Sequence, residues 1–284
     1  MDDNPHEAAN VQQRFHLHLT KHHGLGNDFL VLIDLDETTP IDAAMARSVC
    51  DRRTGVGADG LIRVTPGHDD ADFAMELLNS DGSPAEMSGN GMRCLVQAVV
   101  MSGHAPGDEF VVLTAGGARR AVHSVGDQPG QSRVSVEMGP ATPGQIDAAA
   151  LVHKTPPLAA ATIDIGNPHL VLHVEDPGVV DLSVDGPAYE AQFPEGANVH
   201  WIRPVGEGLE LRVWERGAGI TMACGTGACA AAAAAHRWGL VPADVTVLMP
   251  GGAVEVSVRD DVLLTGPANY VASIDVDPSL LVSR

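Results

Sequence analysis

The sequence predicts an α+β fold of two pseudo-symmetric, β-rich halves, each wrapped around a central helix. Three glycine-containing motifs of the first half recur in the second, in the same order and at nearly constant spacing. The recurring pairs are 24–32 with 164–172, 88–91 with 224–227, and 113–118 with 248–253. One such pair arises easily, because Gly-Gly and Gly-Asn are common turn pairs, but three collinear pairs indicate a duplicated domain.

The duplication divides the chain into four segments. Residues 1–13 are polar, and we expect them to form a disordered tail. The first half is expected over residues 14–140 and the second over residues 141–267. The C-terminal segment 268–284 follows, with a return to the first half as one possible path.

Strands are predicted where apolar residues alternate with polar ones or form short runs, at 15–19, 29–34, 170–174, 209–214 and 254–258. Helices are predicted at 41–51, 93–101 and 228–238. The last two follow Gly-x-Gly turns, and Gly103 and Gly239 are expected to end them. Each half therefore combines a β-rich layer with one central helix.

Composition excludes several classes of protein. The net charge is −20 with only 17 Lys and Arg, which argues against nucleic acid or an anionic membrane as a partner. No signal peptide or membrane-spanning apolar run is recognisable, so a cytoplasmic protein is expected. The four cysteines are too few for a disulfide framework, and no zinc-type spacing accompanies them. No metal site is expected, because strand alternation explains the histidines near residue 18 better than a metal cluster does.

The two Gly-x-Gly turns carry the candidate chemistry. Ser88 and Cys224 precede them, and a helix-like run follows each. A helix N-terminus presents unpaired N–H groups that bind an anion such as a carboxylate. The same helix end is expected to lower the pKa of Cys224 and make it a nucleophile or base. A plain glycine turn beside a buried cysteine would explain one copy, but the second copy favours a site.

Motifs spread over positions 21–229 together resemble the diaminopimelate epimerase family. The segments that carry the resemblance are 21–29, 53–60, 79–83, 166–169, 196–199 and 215–227. The resemblance implies two β/α halves with the site between them. It also implies that two cysteines, one on each side of the substrate α-carbon, exchange its proton and interconvert LL- and meso-diaminopimelate without pyridoxal phosphate or a metal. A homodimer is compatible with the sequence, which leaves the oligomeric state open.

The resemblance also implies roles for individual residues. The backbone N–H groups of Gly89, Asn90, Gly225 and Thr226 would bind the α-carboxylate. The side chains expected to hold the remaining carboxylates and amino groups are Asn27, Asn79, Asn167, Asn198 and Arg216. Glu215 would contact an ammonium, and His169 would support the base. The alternative for the asparagines is a left-handed turn conformation, since Asn27 and Asn167 each follow a glycine.

Ser88 departs from the family pattern, because it aligns with the first catalytic cysteine. A serine hydroxyl is a much weaker acid than a thiol, so it is a poor base at neutral pH. Three explanations stay open: an engineered loss of one base, a natural one-base variant, and a hydroxyl activated by a neighbour such as Glu86. The alternative functions are a racemase, isomerase or dehydratase of the same fold that uses one thiol, and a non-catalytic amino acid binding protein.

Overall fold

A computed structural model describes residues 17–85, 87–153, 156–277 and 280, so the expected tail at 1–13 lies outside the described residues. Within these ranges sixteen strands belong to one continuous sheet. The strands β1 to β16 are, in chain order, Leu17–Gly24, Asn27–Ile33, Gly60–Pro66, Phe73–Asn79, Glu109–Thr114, Gly117–Val125, Gln131–Glu137, Thr142–Pro143, Ala159–Asp164, Pro168–His173, Asn198–Val205, Gly208–Glu215, Gly219–Thr221, Asp244–Met249, Gly252–Val258 and Val262–Val276.

In the described part of the chain four α-helices accompany the sheet, and two short 3-10 helices cover Ala148–Ala150 and Pro177–Val179. The α-helices α1 to α4 are Ala43–Cys50, Gly89–Met101, Leu182–Glu190 and Gly225–Arg237. The three predicted helices are present as α1, α2 and α4. The latter two start earlier than predicted, because the Gly-x-Gly turns belong to their first turns. Gly103 and Gly239 have φ of 77° and 71°, as expected for residues that end helices.

Sequence patterns did not predict α3, which contains Gly186 and Pro187 in its interior. Both residues disfavour a helix, so the segment resembles a loop. The structure supplies a packing reason for the glycine, since a Cβ on Gly186 would lie 2.3 Å from the Trp214 ring. The Trp214 indole Nε1 also donates a hydrogen bond to Glu190 Oε2 at 2.6 Å. Tertiary contact with Trp214 therefore stabilises a helix that local propensity opposes.

The strand order confirms an α+β fold of two similar halves. In the first half β1 to β7 lie side by side, and β16 pairs with both β7 and β1, which closes a barrel around α2. The second half runs from β16 through β15, β14, β12, β11, β10 and β9 to β8, around α4. Parallel pairs occur at equivalent places in the two halves, at β2–β3 and β4–β5 and again at β10–β11 and β12–β14.

Strand β16 belongs to both halves. Its residues 262–265 pair with β15, and residues 263–269 pair with β7. Residues 269–276 continue along β1, so this part of the C-terminal segment lies in the first barrel. The boundaries drawn at residues 140 and 267 stay predictions, because one strand serves both halves.

The central helices are buried on all sides. Every residue from Gly89 to Val99 in α2 is buried, as is every residue from Gly225 to Ala235 in α4. Burial on every face is typical of a helix in a protein interior. Six consecutive alanines at 230–235 allow the strands of the second half to approach α4 closely. The two halves therefore place two buried helices inside one continuous sheet.

The N-termini of α2 and α4 meet at two glycines. A Cβ on Gly225 would lie 3.1 Å from Gly89 Cα, and a Cβ on Gly89 would lie 3.3 Å from Gly225 Cα. Leu264 of β16 packs against both positions. Its Cδ2 would lie 2.8 Å from a Cβ on Gly89 and 3.1 Å from a Cβ on Gly225. Only glycine permits this approach of the two backbones, so both helix ends point to one place.

We predict that Gly227→Ala destabilises the protein. A Cβ at this position would lie 2.3 Å from Cε1 of His200, which is buried, so the ring must shift. Overpacking of this kind costs about 1–3 kcal/mol of unfolding free energy, which urea unfolding measures. Gly107→Ala is the matched control, because a Cβ there meets no atom within 4 Å. Equal stability of the two variants would contradict the prediction.

Candidate active site

A cleft of about 890 Å³ lies where the two helix N-termini meet, with walls from both halves. The structure brings together in this cleft twelve of the residues predicted from the sequence. They are Asn27, Asn79, Ser88, Gly89, Asn90, Asn167, Asn198, Glu215, Arg216, Cys224, Gly225 and Thr226. His169 does not line this cleft but lies behind Asn167. The positions therefore agree with one common site, while the individual roles stay predictions.

Ser88 and Cys224 occupy equivalent positions at the entrances of α2 and α4. Each is the N-cap of its helix, with φ and ψ of −137° and 116° for Ser88 and −131° and 113° for Cys224. Ser88 Oγ accepts a hydrogen bond from Gly91 N at 3.0 Å, and Cys224 Sγ accepts one from Gly227 N at 3.3 Å. The two positions therefore share the same backbone conformation and the same N-cap hydrogen bond. They differ only in the acidity of the side chain, a hydroxyl at Ser88 and a thiol at Cys224.

The expectation that the helix end lowers the pKa of Cys224 is wrong. Burial raises the pKa of this thiol, and the charge of the neighbouring Glu215 raises it further. Thr226 and the Gly227 N–H act in the opposite direction but do not outweigh burial. The side chain is 5% exposed, so little water is available to solvate a thiolate. Burial therefore favours the protonated thiol of Cys224 at neutral pH.

Glu215 lies beside Cys224 in an environment that makes its carboxylate a stronger base than usual. Burial raises the pKa of its carboxyl group, and the nearby Asp59 contributes in the same direction. A hydrogen bond donated by Thr221 Oγ1 to Oε1 at 2.5 Å lowers that pKa in part. A carboxylate with a raised pKa accepts protons more readily than an ordinary one. Glu215 can therefore exchange a proton with a group next to it.

The amide side chains of the site are held by protein groups. Asn198 Oδ1 accepts a hydrogen bond from Arg216 N at 3.1 Å, and Asn198 Nδ2 donates to Pro168 O at 3.2 Å. Asn79 Nδ2 donates to Ser83 Oγ at 3.0 Å. The Arg216 guanidinium donates to Glu195 O at 3.2 Å. These bonds fix the side chains before any ligand arrives, which favours binding.

The left-handed turn alternative for the asparagines is wrong. The non-glycine residues with positive φ in the described ranges are Leu25, Glu37, Asp69 and Asp70, and none of them is an asparagine. Gly26 and Gly166 carry the positive φ instead, at 92° and 93°, one residue before Asn27 and Asn167. Each glycine makes the turn, and the asparagine that follows extends into the cleft.

A buried histidine pair stands behind Asn167. The oxygen Asn167 Oδ1 only accepts, so the His169 Nε2–H donates to it at 2.7 Å. His169 Nδ1 is then an acceptor in the neutral ring, and the His200 Nε2–H donates to it at 2.7 Å. His200 Nδ1 finds no hydrogen-bond partner in the described part of the chain. The pair thus orients Asn167 through two neutral imidazole rings.

Asp59 and His200 are site residues that sequence reasoning missed. Asp59 lines the cleft, where its Oδ2 accepts from Asn27 Nδ2 at 2.7 Å and its Oδ1 accepts from Arg52 at 2.7 Å. Asp59 lies within the family segment 53–60, in the sequence Gly-Ala-Asp-Gly, which by itself indicates no role for the carboxylate. His200 lies in the strand β11 without any motif around it. Only its burial beside Gly227 reveals it.

The described ranges contain neither a metal-binding cluster nor a membrane-spanning helix. No group of three or more His, Cys, Asp or Glu side chains there is arranged to hold a metal ion. No helix in the same ranges has the length and apolar character needed to cross a membrane. Glu86, which one explanation invoked as an activator of Ser88, lies outside the described residues.

The buried histidine pair makes stability depend on pH. Burial lowers the pKa of His200 to about 3, and burial with the neighbouring ring lowers the pKa of His169 well below 6.5. The unfolded chain binds protons on both rings below about pH 6.5, whereas the folded chain does not, so unfolding free energy falls as the pH drops.

We expect unfolding free energy to fall less steeply with decreasing pH in His200→Gln, by up to about 1.4 kcal/mol per pH unit. The variant lacks one of the two rings that are protonated only in the unfolded chain. Urea unfolding of the parent and the variant between about pH 7 and pH 5 measures the slopes. His68→Gln, at an exposed position, is the matched control for loss of a histidine. A slope for His200→Gln equal to that of the parent would contradict the prediction.

Comparison with known proteins identifies the family. The model of the family described as diaminopimelate epimerase matches residues 19–143 and 161–271. Diaminopimelate epimerase from Synechococcus elongatus is 39% identical over 276 residues, covering 90% of this chain and 97% of the relative. The enzyme of that name from Desulfitobacterium hafniense is 40% identical over 278 residues, covering 90% and 96%.

Solved structures agree at the level of the fold. A phenazine biosynthesis protein of the PhzF family from Bacillus anthracis has a TM-score of 0.70 at 16% identity, covering 92% of this chain and 99% of that one. A hydroxyproline epimerase from Agrobacterium vitis, with bound trans-4-hydroxy-L-proline, also has a TM-score of 0.70, at 17% identity, covering 93% and 94%. With the family match over most of both halves, the chain belongs to the diaminopimelate epimerase family.

Proposed function

We propose that the chain acts on diaminopimelate and interconverts its LL and meso stereoisomers without a cofactor. The observation that carries this proposal is the pair of equivalent helix N-termini that meet at Gly89 and Gly225 in one cleft. An amino acid α-proton is very weakly acidic, so the carbanion left behind needs strong electrostatic stabilisation. Two helix N-termini beside the α-carboxylate supply that stabilisation, because the carboxylate gains charge as the proton leaves.

The cleft also carries charged side chains that suit the second amino acid group of diaminopimelate. Arg216 presents a planar guanidinium, which can bind a carboxylate through two parallel hydrogen bonds. Asp59 places a carboxyl group in the same cleft, where it can bind an ammonium group. A substrate with one charged amino acid group at each end would therefore find partners for both.

The proposed reaction begins when the Cys224 thiol gives its proton to the Glu215 carboxylate beside it. The thiolate then takes the α-proton, and the bonding electron pair stays on the α-carbon and spreads into the carboxylate. Return of a proton from Cys224 regenerates the starting stereoisomer. Inversion needs a proton from the opposite side, where Ser88 would have to become an alkoxide. Because an alkoxide is much less stable than a thiolate, exchange should be faster than inversion.

We predict that Cys224→Ala abolishes α-proton exchange. The variant removes the thiol that acts as base, which is typically worth about 10²-fold or more in rate. Proton NMR of LL- and meso-diaminopimelate in deuterium oxide measures exchange as loss of the α-proton signal. Cys229→Ala is the matched control, because this buried thiol lies in α4 but does not line the cleft. If the parent exchanges neither stereoisomer, the proposed function is wrong.

We predict that Ser88→Cys raises the rate of stereoisomer interconversion by orders of magnitude over the parent. The two N-cap positions have the same backbone geometry, so a thiol at 88 fits where the hydroxyl sits. The variant should also become sensitive to peroxide, because two thiols that flank one carbon lie close to disulfide distance.

Ser88→Ala is the companion variant for this test. We expect it to keep the exchange activity of the parent, because the hydroxyl is a poor base. Interconversion is followed by separating the stereoisomers after incubation with each variant, before and after peroxide treatment. If Ser88→Cys is neither faster nor more sensitive to peroxide than the parent, then Ser88 does not oppose Cys224 across the substrate.

A further inference from the structure

Arg93 is a buried cation with few partners. It lies in α2 one turn after Asn90, and it is 0% exposed. Its Nη2 donates a hydrogen bond to Asn90 Oδ1 at 2.6 Å, while its Nε and Nη1 have no partner among the residues that the structure describes. Burial lowers the pKa of its guanidinium to about 10, so the group keeps its charge at neutral pH. A buried charge without a counter-ion is costly and calls for a reason.

Two glycines make room for this guanidinium. A Cβ on Gly24, at the end of β1, would lie 2.8 Å from Arg93 Nη2. A Cβ on Gly266, in β16, would lie 2.8 Å from Arg93 Nη1. Any larger residue at either place would displace the charge from its position. The barrel wall is therefore shaped around Arg93.

The guanidinium determines the orientation of two amides in the cleft. It can only donate, so Asn90 must present Oδ1 to it and direct Nδ2 the other way. Asn90 Nδ2 accordingly donates to Asn27 Oδ1 at 3.0 Å, and Asn27 Nδ2 donates to Asp59 Oδ2 at 2.7 Å. A continuous series of donors and acceptors thus runs from a buried cation to a carboxylate in the cleft wall.

The same series connects the two halves. Asn90 Nδ2 also donates to Ala223 O at 3.2 Å, and Ala223 is the residue before Cys224. The orientation that Arg93 imposes on Asn90 is therefore the one that holds the α4 entrance against the α2 entrance. If the amide were reversed, its oxygen would face two acceptors, Asn27 Oδ1 and Ala223 O.

We propose that Arg93 is a positioning residue of this site. It fixes the amides of Asn90 and Asn27, and its charge lies behind the α2 N-terminus, where a substrate carboxylate becomes its missing counter-ion. The second part rests on the proposed function, whereas the first part concerns the unliganded protein alone. Arg93 would raise the positive potential that the helix end offers to an anion, without itself touching the substrate.

Three variants separate this role from a purely structural one. Arg93→Met keeps much of the volume but removes the charge and the donors. Arg93→Lys keeps the charge and one donor, so it should rescue part of the effect. Gln97→Met is the matched control, because Gln97 is equally buried in the same helix but donates to Ala268 O and Gly130 O, away from the cleft.

The first measurement is NMR of the asparagine side-chain amides in the unliganded protein labelled with nitrogen-15. We expect the Asn90 and Asn27 signals to shift strongly in Arg93→Met, to recover in part in Arg93→Lys and to stay in place in Gln97→Met. Unchanged Asn90 and Asn27 signals in Arg93→Met would overturn the proposal, whatever the substrate is. If Arg93→Met does not fold, the same signals in Arg93→Lys decide the question.

The second measurement is calorimetric binding of diaminopimelate. Loss of a charge-assisted interaction predicts binding about ten-fold weaker in Arg93→Met, with a smaller loss in Arg93→Lys. Gln97→Met should bind like the parent. Equal affinity of Arg93→Met and the parent refutes the counter-ion role. If the parent itself binds no diaminopimelate, the proposed function fails, and the amide signals alone decide the role of Arg93.

Discussion

The close approach of Gly89 and Gly225 is the constraint on which the rest of the structure depends. Two helix N-termini carry the same partial charge and repel each other, so they meet only if the surrounding sheet holds them there. The continuous sheet provides this support, and Leu264 of the shared strand packs against both glycines. Two facing helix N-termini favour an anion between them, so the fold concentrates its capacity for anion binding at this one place.

Internal repetition made most of the fold predictable, because recurring glycine turns are visible in the sequence without any structure. The failures have physical causes. α3 was missed because Gly186 and Pro187 disfavour a helix locally, and only packing against Trp214 explains it. The wrong direction for the pKa of Cys224 arose because a helix end is a local feature, whereas burial depends on how deeply the whole fold places the thiol.

The candidate site was predictable to different degrees. Twelve predicted residues inside repeated or family motifs line one cleft, and His169 lies behind one of them, Asn167. His200, Arg93 and Asp59 were given no role, since a single polar residue in a strand, helix or turn carries no spacing signal. Their importance appears only from partners distant in sequence: a glycine without room for a Cβ, an amide that needs a donor, or a neighbouring ring. The two helix entrances have the same backbone conformation, but one carries the Ser88 hydroxyl and the other the Cys224 thiol.

Sharing β16 between the halves has a consequence for synthesis of the chain. The first barrel takes its eighth strand from residues 263–276, which are translated only after strands β8 to β15 of the second half. Until then β1 and β7 present unpaired edges, and such edges favour association with other chains. The duplicated halves therefore cannot mature independently in the order of translation. The nascent first half keeps both exposed strand edges until β16 is made and completes the two halves at once.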